Sequence, residues 1–190
     1  MSRKRLLPMV AIVAMLGGAL WLSASAWAAA QCFGKPATRT FTDNTLEGHQ
    51  TFRGTSGNDV IVIRPGSFTS HDVEGRGGND RICDRANDAG AGGEIRGGDG
   101  NDRLIADIRK AIFGGPGDDL ARGSFASEIV DGGAGHDKLF GRQGSGDDIL
   151  GRRGNDFLDG GSDGGFLNGG PGTDTCVNQG EFGTKTSCEK

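Results

Sequence analysis

The sequence predicts an all-β solenoid, in which short strands stack along one axis and tight turns join them. Two observations lead to this fold class. Of the 190 residues, 37 are glycine, 19 are aspartate and only five are proline; such a composition favours turns over helices and excludes collagen. The glycines and aspartates also recur in a nine-residue pattern, and a fixed period is typical of stacked-repeat architectures.

The amino-terminal segment, residues 1–28, is expected to be a signal peptide that does not belong to the fold. Three basic residues at 3–5 precede an apolar run over 6–22, and Ala-Trp-Ala at 26–28 is typical of a cleavage site. A retained membrane anchor is the alternative, but the apolar run is only marginally long enough to span a bilayer. We therefore expect a secreted, extracellular protein without stable membrane insertion after cleavage.

The repeat is G-G-x-G-x-D-x-U-x, where U is usually aliphatic. Residues 97–105, 132–140 and 169–177 follow it closely. Weaker copies begin at Gly54, Gly75, Gly114, Gly141, Gly151 and Gly160. The first six residues of a unit suit a tight turn, and the last three suit a minimal strand whose U side chain points inward. Stacked units bury these U side chains in a continuous column, which a single unit cannot do.

On these motifs the chain resembles the hemolysin-type calcium-binding repeat family, or RTX proteins, over roughly residues 54–177. The resemblance implies a right-handed parallel β-roll, or β-solenoid, with two short strands per turn and a cap at each end. It also implies that several calcium ions bind between stacked Gly/Asp turns. We assign residues 29–53 to an amino-terminal cap, 54–177 to the roll and 178–190 to a carboxy-terminal cap or tail.

Two strands per turn imply that alternate units lie on opposite flanks, so units of one flank recur about every 18 residues. On one flank the sixth positions, the expected metal ligands, are Asp59, Asp80, Asp102, Asp119, Asp137, Asp156 and Asp174. The inward positions of this flank are Ile61, Ile82, Leu104, Ala121, Leu139, Leu158 and Cys176. By resemblance, turn carbonyls such as those of Gly97, Gly114 and Gly132 complete the calcium shell.

The other flank has lost most of its motif. Its inward column is expected to be Val73, Ile95, Ile112, Val130, Ile149 and Leu167. Its sixth positions include Glu128 and Gly165, and only the unit from Gly141 keeps an aspartate, either Asp147 or Asp148. The sequence thus predicts a one-sided roll, in which calcium lines one flank and ordinary packing closes the other.

The stacked aspartates themselves indicate a cation. Neighbouring parallel strands lie about 4.8 Å apart, and at an effective dielectric constant of about 20 two carboxylates at that distance repel by roughly 3 kcal/mol. A divalent ion between the rungs reverses this repulsion. Calcium accepts six to eight oxygen ligands in loose geometry, whereas magnesium demands a tighter octahedron.

Four cysteines in an exported chain favour two disulfides. Of the three possible pairings we favour Cys32–Cys83, which ties the amino-terminal segment to the early rungs, and Cys176–Cys188, which folds the tail over the last rung. A cysteine-ligated metal site is the alternative, but no pair has C-x-x-C spacing.

The motifs that carry catalysis are missing from the sequence. His49, His71 and His136 are far apart and none stands in H-E-x-x-H, and neither a G-x-S-x-G elbow nor a P-loop occurs. The net charge is −4, and both tryptophans, Trp21 and Trp27, lie in the expected signal peptide. A basic groove with stacking aromatics is thus absent, which argues against nucleic acid as a partner.

We therefore predict a secreted, non-enzymatic calcium-binding protein whose roll folds when it meets extracellular calcium. The alternative is a surface or matrix adhesin that binds an unidentified partner through the degenerate flank, where Phe113, Phe125 and Phe166 are candidate contact residues.

Overall fold

The computed structural model describes residues 31–41, 48–65, 70–86, 92–107, 109–123, 129–142, 146–162, 164–179 and 183–189. The expected signal peptide lies outside these residues, as does Phe125. Within the described ranges every regular element is a β-strand, and no helix there is long and apolar enough to cross a membrane.

Two eight-stranded parallel sheets form the body of the molecule. A short antiparallel hairpin of β1 (Gln31–Cys32) and β2 (Lys35–Pro36) precedes them. Sheet 1 contains β3 (Arg39–Phe41), β5 (Val60–Ile63), β7 (Arg81–Asp84), β9 (Arg103–Ala106), β11 (Leu120–Arg122), β13 (Lys138–Phe140), β15 (Phe157–Asp159) and β17 (Thr175–Val177). Sheet 2 contains β4 (His49–Arg53), β6 (Ser70–Gly77), β8 (Glu94–Asp99), β10 (Ala111–Pro116), β12 (Ile129–Ala134), β14 (Asp147–Arg153), β16 (Gly165–Asn168) and β18 (Thr184–Thr186).

The chain alternates between the sheets at every strand, so each sheet pairs every second strand in sequence order. The predicted all-β parallel solenoid with two short strands per turn is confirmed. Turns that lead from sheet 2 to sheet 1 carry the aspartates, and we call this side the aspartate flank. Turns that lead from sheet 1 to sheet 2 form the opposite flank.

The core consists of the two predicted columns. Ile61, Ile82, Leu104, Ala121, Leu139, Leu158 and Cys176 line sheet 1, and Val73, Ile95, Ile112, Val130, Ile149 and Leu167 line sheet 2; each is at most 2% exposed. Adjacent members pair directly across strands, as Ile61 does with Ile82 and Ile112 with Val130. The steps from Asp59 to Asp80 and from Asp80 to Asp102 are 21 and 22 residues long. They do not disturb this register, because the extra residues fall between β5 and β6 and between β7 and β8 in the chain.

Both ends of the solenoid are covered. Strands β3 and β4, which lie within the segment assigned to the amino-terminal cap, already pair into the sheets, and Phe41 stacks against Phe52 over the core with ring centroids 4.6 Å apart. At the other end, β18 pairs with β16, and Lys185 occupies the inward position after Leu167, where its Nζ donates to the Cys176 carbonyl at 2.8 Å.

Both disulfides have the favoured pairing, Cys32–Cys83 and Cys176–Cys188. The first does more than hold the amino-terminal segment near the early rungs. It seats the hairpin on the outer face of sheet 1, where Cys32, Val60 and Val62 form a second, smaller apolar cluster with Cys83.

Candidate metal centre

The seven predicted aspartates of the aspartate flank form a continuous hydrogen-bonded ladder. The backbone amide of each aspartate donates to Oδ1 of the aspartate one rung further on. The six links are Asp59 to Asp80, Asp80 to Asp102, Asp102 to Asp119, Asp119 to Asp137, Asp137 to Asp156 and Asp156 to Asp174, each 2.7–2.8 Å long. All seven residues are at most 6% exposed. The ladder therefore fixes the carboxylates inside the turns rather than in solvent.

Side chains outside the repeat close the ladder at both ends. At the carboxy-terminal end, the Asp174 amide donates to the Glu189 carboxylate, which stands where the next aspartate would be. At the amino-terminal end, Asp59 Oδ1 accepts from Thr38 Oγ1 at 3.2 Å and from Arg39 Nε at 3.4 Å. The repeat pattern identified none of these three capping residues.

The second carboxylate oxygen, Oδ2, lacks a hydrogen-bond donor from the protein in most of the ladder aspartates. Oδ2 of Asp80, Asp102, Asp119, Asp137, Asp156 and Asp174 is buried without a hydrogen-bond donor. Buried polar atoms are normally paired, and an unpaired buried charge is costly. Asp59 is the exception, because its Oδ2 accepts from the Thr55 amide at 2.6 Å and from Thr55 Oγ1 at 2.8 Å. Six of the seven aspartates thus each present one oxygen that accepts no hydrogen bond from the protein and is available to a cation.

Glycine at the first position of each turn makes room for these oxygens. A Cβ on Gly114 would overlap both Asp119 Oδ2 and the carbonyl oxygen of Gly132 on the next rung. The same overlap recurs at Gly75 with Asp80 and the Gly97 carbonyl, and at Gly97 with Asp102 and the Gly114 carbonyl. The carbonyls of Gly97, Gly114 and Gly132, predicted as ligands, therefore converge with a carboxylate oxygen of the preceding rung.

Burial disfavours the ionised form of these carboxylates. It raises the pKa of Asp80 to about 6, of Asp102 and Asp137 to about 7, and of Asp119 to about 8, and neighbouring aspartates add to the effect. Burial also raises the pKa of Asp156. At Asp59 burial acts in the same direction, but the hydrogen bonds from Thr55 outweigh it and lower the pKa. A row of carboxylates with raised pKa is the electrostatic condition that a bound divalent cation relieves.

A second ladder runs beside the first at the fifth position of each turn, in the reverse direction. Each backbone amide donates to the side chain one rung earlier. The six links are Asn79 to Asn58, Asn101 to Asn79, Asp118 to Asn101, His136 to Asp118, Asn155 to His136 and Thr173 to Asn155, each 2.6–3.0 Å long. His136 is exposed, and its Nδ1 accepts the Asn155 amide. Recurrence of Asn, Asp or His before the sixth-position aspartate was the available signal for this ladder.

The opposite flank is organised differently. Asp147 points inward and is 1% exposed, whereas Asp148 is exposed on the outer face of sheet 2. Asp147 Oδ2 accepts the Arg142 amide at 3.2 Å. Gly165 stands at the sixth position one rung later, beside Asp147, and Glu128 lies outside the described residues. Described carboxylates on this flank therefore do not form a continuous ladder.

Two clusters bring histidines together with acidic groups that are distant in sequence. His49 Nε2 lies 2.7 Å from Asp72 Oδ2, and its Nδ1 lies 2.9 Å from Ser70 Oγ. Ser70 Oγ donates to the Gly92 carbonyl at 2.8 Å, so its proton is directed away from the imidazole, and the arrangement lacks the geometry of an activated nucleophile. The second cluster joins His71 to Asp84, both buried.

Of the phenylalanines predicted as contact residues, the two that the structure describes do not lie in the opposite-flank turns. Phe113 and Phe166 are on the outer face of sheet 2, in different rows of its strands. The guanidinium of Arg96 lies over the Phe113 ring, 5.4 Å from its centroid. The structure thus describes two separate aromatic residues rather than one continuous patch.

Side chains alone do not complete a metal site. No group of three or more His, Cys, Asp or Glu side chains in the described part of the chain is placed to hold a metal. The donor set on the aspartate flank instead combines one carboxylate oxygen per turn with backbone carbonyls. Oxygen donors of this kind suit calcium, which takes carboxylate and carbonyl ligands in flexible geometry.

Comparison with known families agrees with this donor set. The family model described as RTX calcium-binding nonapeptide repeat (4 copies) matches residues 44–62, 89–108, 113–146 and 143–176. These segments span just over half of the chain and include most of the aspartate-flank turns. No curated protein and no solved structure matches the chain significantly.

Proposed function

Because the chain belongs to the RTX calcium-binding nonapeptide-repeat family, we propose that it is a secreted, non-enzymatic protein whose β-roll folds when calcium binds along the aspartate flank. The observation that carries the proposal is the row of six buried Oδ2 atoms without a donor. In a folded protein such atoms are normally paired, and their repetition at six successive rungs favours one kind of partner that repeats with them.

The proposed ligands come from adjacent turns. The carboxylate oxygen Oδ2 of one turn and the first-position glycine carbonyl of the next converge on the same space, as for Asp102 with Gly114 and Asp119 with Gly132. When bound, calcium would supply the positive charge that these oxygens lack and would join successive rungs. Asp59 is the weakest candidate ligand, because its Oδ2 already accepts two hydrogen bonds from Thr55.

Calcium binding of this kind couples to folding. The ligands belong to different rungs, so the site exists only when the rungs are stacked, and binding to the stacked state stabilises it. Scarce free calcium in the cell would leave the chain unfolded and competent for export, and calcium outside would complete the fold. Two disulfides and the expected signal peptide support an extracellular destination.

A non-enzymatic role is supported by how the polar groups are used. The buried aspartates are bound into the ladder, and Ser70 donates to a backbone carbonyl rather than to His49. The roll thus uses its polar side chains to hold adjacent rungs together.

Circular dichroism of the purified chain without its signal peptide tests the proposal, with disulfides intact throughout. In a chelator we expect loss of the β spectrum or a large fall in Tm, and in millimolar calcium a β spectrum with cooperative melting. Magnesium at the same concentration serves as the control and should not restore the fold, because it demands tighter octahedral geometry. A β spectrum and a Tm that do not change on calcium removal would reject the proposal.

A further inference from the structure

The opposite flank places basic side chains where the aspartate flank has carboxylates. A sixth-position residue stands two residues before its inward aliphatic residue, as Asp102 does before Leu104. By this rule the sixth positions of two opposite-flank turns are His71, before Val73, and Lys110, before Ile112. Both side chains are buried, with exposures of 0% and 2%.

The Lys110 ammonium is surrounded by oxygen atoms of earlier rungs. Its Nζ donates to the His71 carbonyl at 2.5 Å and to the Gly92 carbonyl at 3.4 Å, and it lies 3.9 Å from Asp84 Oδ2. His71 is the second residue of β6, Gly92 precedes β8 and Lys110 precedes β10. One side chain therefore joins three successive rungs through two backbone carbonyls and a carboxylate, which are the donor types that calcium prefers.

The carboxylate of this cluster, that of Asp84, stands at the first position of a repeat unit and not at the sixth. Asp84 is the last residue of β7, in the column that continues through Ala106 and Gly123, where a unit of the repeat begins with glycine. Its side chain is buried, and its Oδ2 accepts from His71 Nε2 at 2.7 Å. On the aspartate flank the acid is at the sixth position beside a first-position glycine; here the acid is at the first position and the base at the sixth.

We propose that Lys110 Nζ is a built-in cation that occupies an oxygen-lined site on the opposite flank and closes its early rungs in place of calcium. The comparison with calcium rests on the proposed function. A buried ammonium requires oxygen acceptors and a compensating negative charge, and this cluster supplies both. Because the cation is covalently attached, this part of the opposite flank closes at any calcium concentration, whereas the aspartate flank responds to calcium.

The test compares four forms of the purified chain: wild type, Lys110→Met, Lys110→Met with Asp84→Asn, and Lys138→Met as the matched control. Lys138 is an exposed lysine on the outer face of sheet 1. The measurement is the urea concentration at half-unfolding as a function of calcium concentration. Methionine keeps most of the length of lysine and removes only the charge and the donors.

For wild type and Lys138→Met we expect a midpoint that rises with calcium and reaches a plateau. Lys110→Met should have a lower midpoint at every calcium concentration, in chelator as in saturating calcium, because Asp84 and two backbone carbonyls lose the ammonium that they surround. The double variant should have a midpoint above that of Lys110→Met, because asparagine removes the buried negative charge that Lys110 no longer offsets.

A Lys110→Met curve that coincides with the Lys138→Met curve, or that falls below it only in the presence of calcium, would overturn the inference. Should Lys110→Met fail to fold at every calcium concentration, the double variant decides: its folding supports the inference and its failure to fold contradicts it. A wild-type midpoint that ignores calcium would instead reject the proposed function, so the two failures are distinguishable.

Discussion

At the scale of single residues, each ladder aspartate divides its two oxygens between two tasks. Oδ1 of Asp119 accepts the Asp102 amide at 2.7 Å, whereas its Oδ2 is buried without a donor. Asparagine at this position keeps the acceptor and removes the charge. The two tasks can therefore be separated by a nearly isosteric substitution.

Asp119→Asn should weaken calcium binding by about tenfold or more, since a charged ligand is lost from the middle of the row. Without calcium the same variant should be more stable than wild type, because burial and the neighbouring carboxylates disfavour the charge of Asp119. Calcium titration calorimetry and urea unfolding in a chelator measure the two effects.

Asp118→Asn is the matched control for that experiment. Asp118 is adjacent, exposed, and accepts the His136 amide through Oδ1, which asparagine can also do. Equal calcium affinities in Asp119→Asn and Asp118→Asn would contradict the assignment of the sixth position as the ligand.

At the scale of elements, the amino-terminal hairpin and the carboxy-terminal tail stabilise the roll in different ways. The hairpin covers the outer face of sheet 1 at Val60 and Val62, and the Cys32–Cys83 bond that holds it spans 51 residues. The tail presents Glu189 to the last ladder amide, and Cys176–Cys188 spans 12 residues.

Replacing Cys32 and Cys83 together by serine should therefore destabilise the protein more than replacing Cys176 and Cys188. Chain entropy alone gives about 4 kcal/mol for the longer loop and about 3 kcal/mol for the shorter. Loss of the apolar contacts under the hairpin adds to the first value. Urea unfolding in saturating calcium measures both, and a larger loss for the Cys176/Cys188 pair would show that the hairpin contributes little.

The core columns and the ladder could be predicted from the sequence to different extents. The core columns and the ladder aspartates were predictable because inward and sixth positions recur every 17–19 residues in most of the chain, and strand pairing preserves that period. The residues that close the ladder within the predicted caps were not predictable, because Thr38, Arg39 and Glu189 lie outside the repeat and act only through contacts across rungs. Lys110 was missed for a similar reason, since its side chain reaches two rungs back.

At the scale of the whole molecule, the aspartate flank makes stability depend on pH in opposite directions with and without calcium. Burial raises the pKa of Asp102 to about 7 and of Asp119 to about 8, from an ordinary value near 3.8. At a pH between the ordinary pKa and these raised pKa values, the folded state without calcium therefore binds more protons than the unfolded chain. Its stability is greatest at low pH and is lost as pH rises through the folded pKa values.

In a chelator we therefore expect the urea midpoint to be higher at pH 5 than at pH 8. In calcium the order should reverse, because protons compete with the ion for the same oxygens. The control is Asp119→Asn, whose pH dependence in chelator should be smaller than that of wild type. Midpoints in chelator that are equal at pH 5 and pH 8 would show that the buried carboxylates do not titrate in this range.

The central claim is that calcium lies between the rungs of the aspartate flank, and anomalous diffraction from a crystal grown in calcium tests it most directly. The account predicts a row of calcium peaks inside the flank from the Asp80 turn to the Asp174 turn, about 4.8 Å apart, each close to one Oδ2 and one backbone carbonyl of the next rung. Peaks confined to exposed carboxylates such as Asp118, with none inside the ladder, would contradict it.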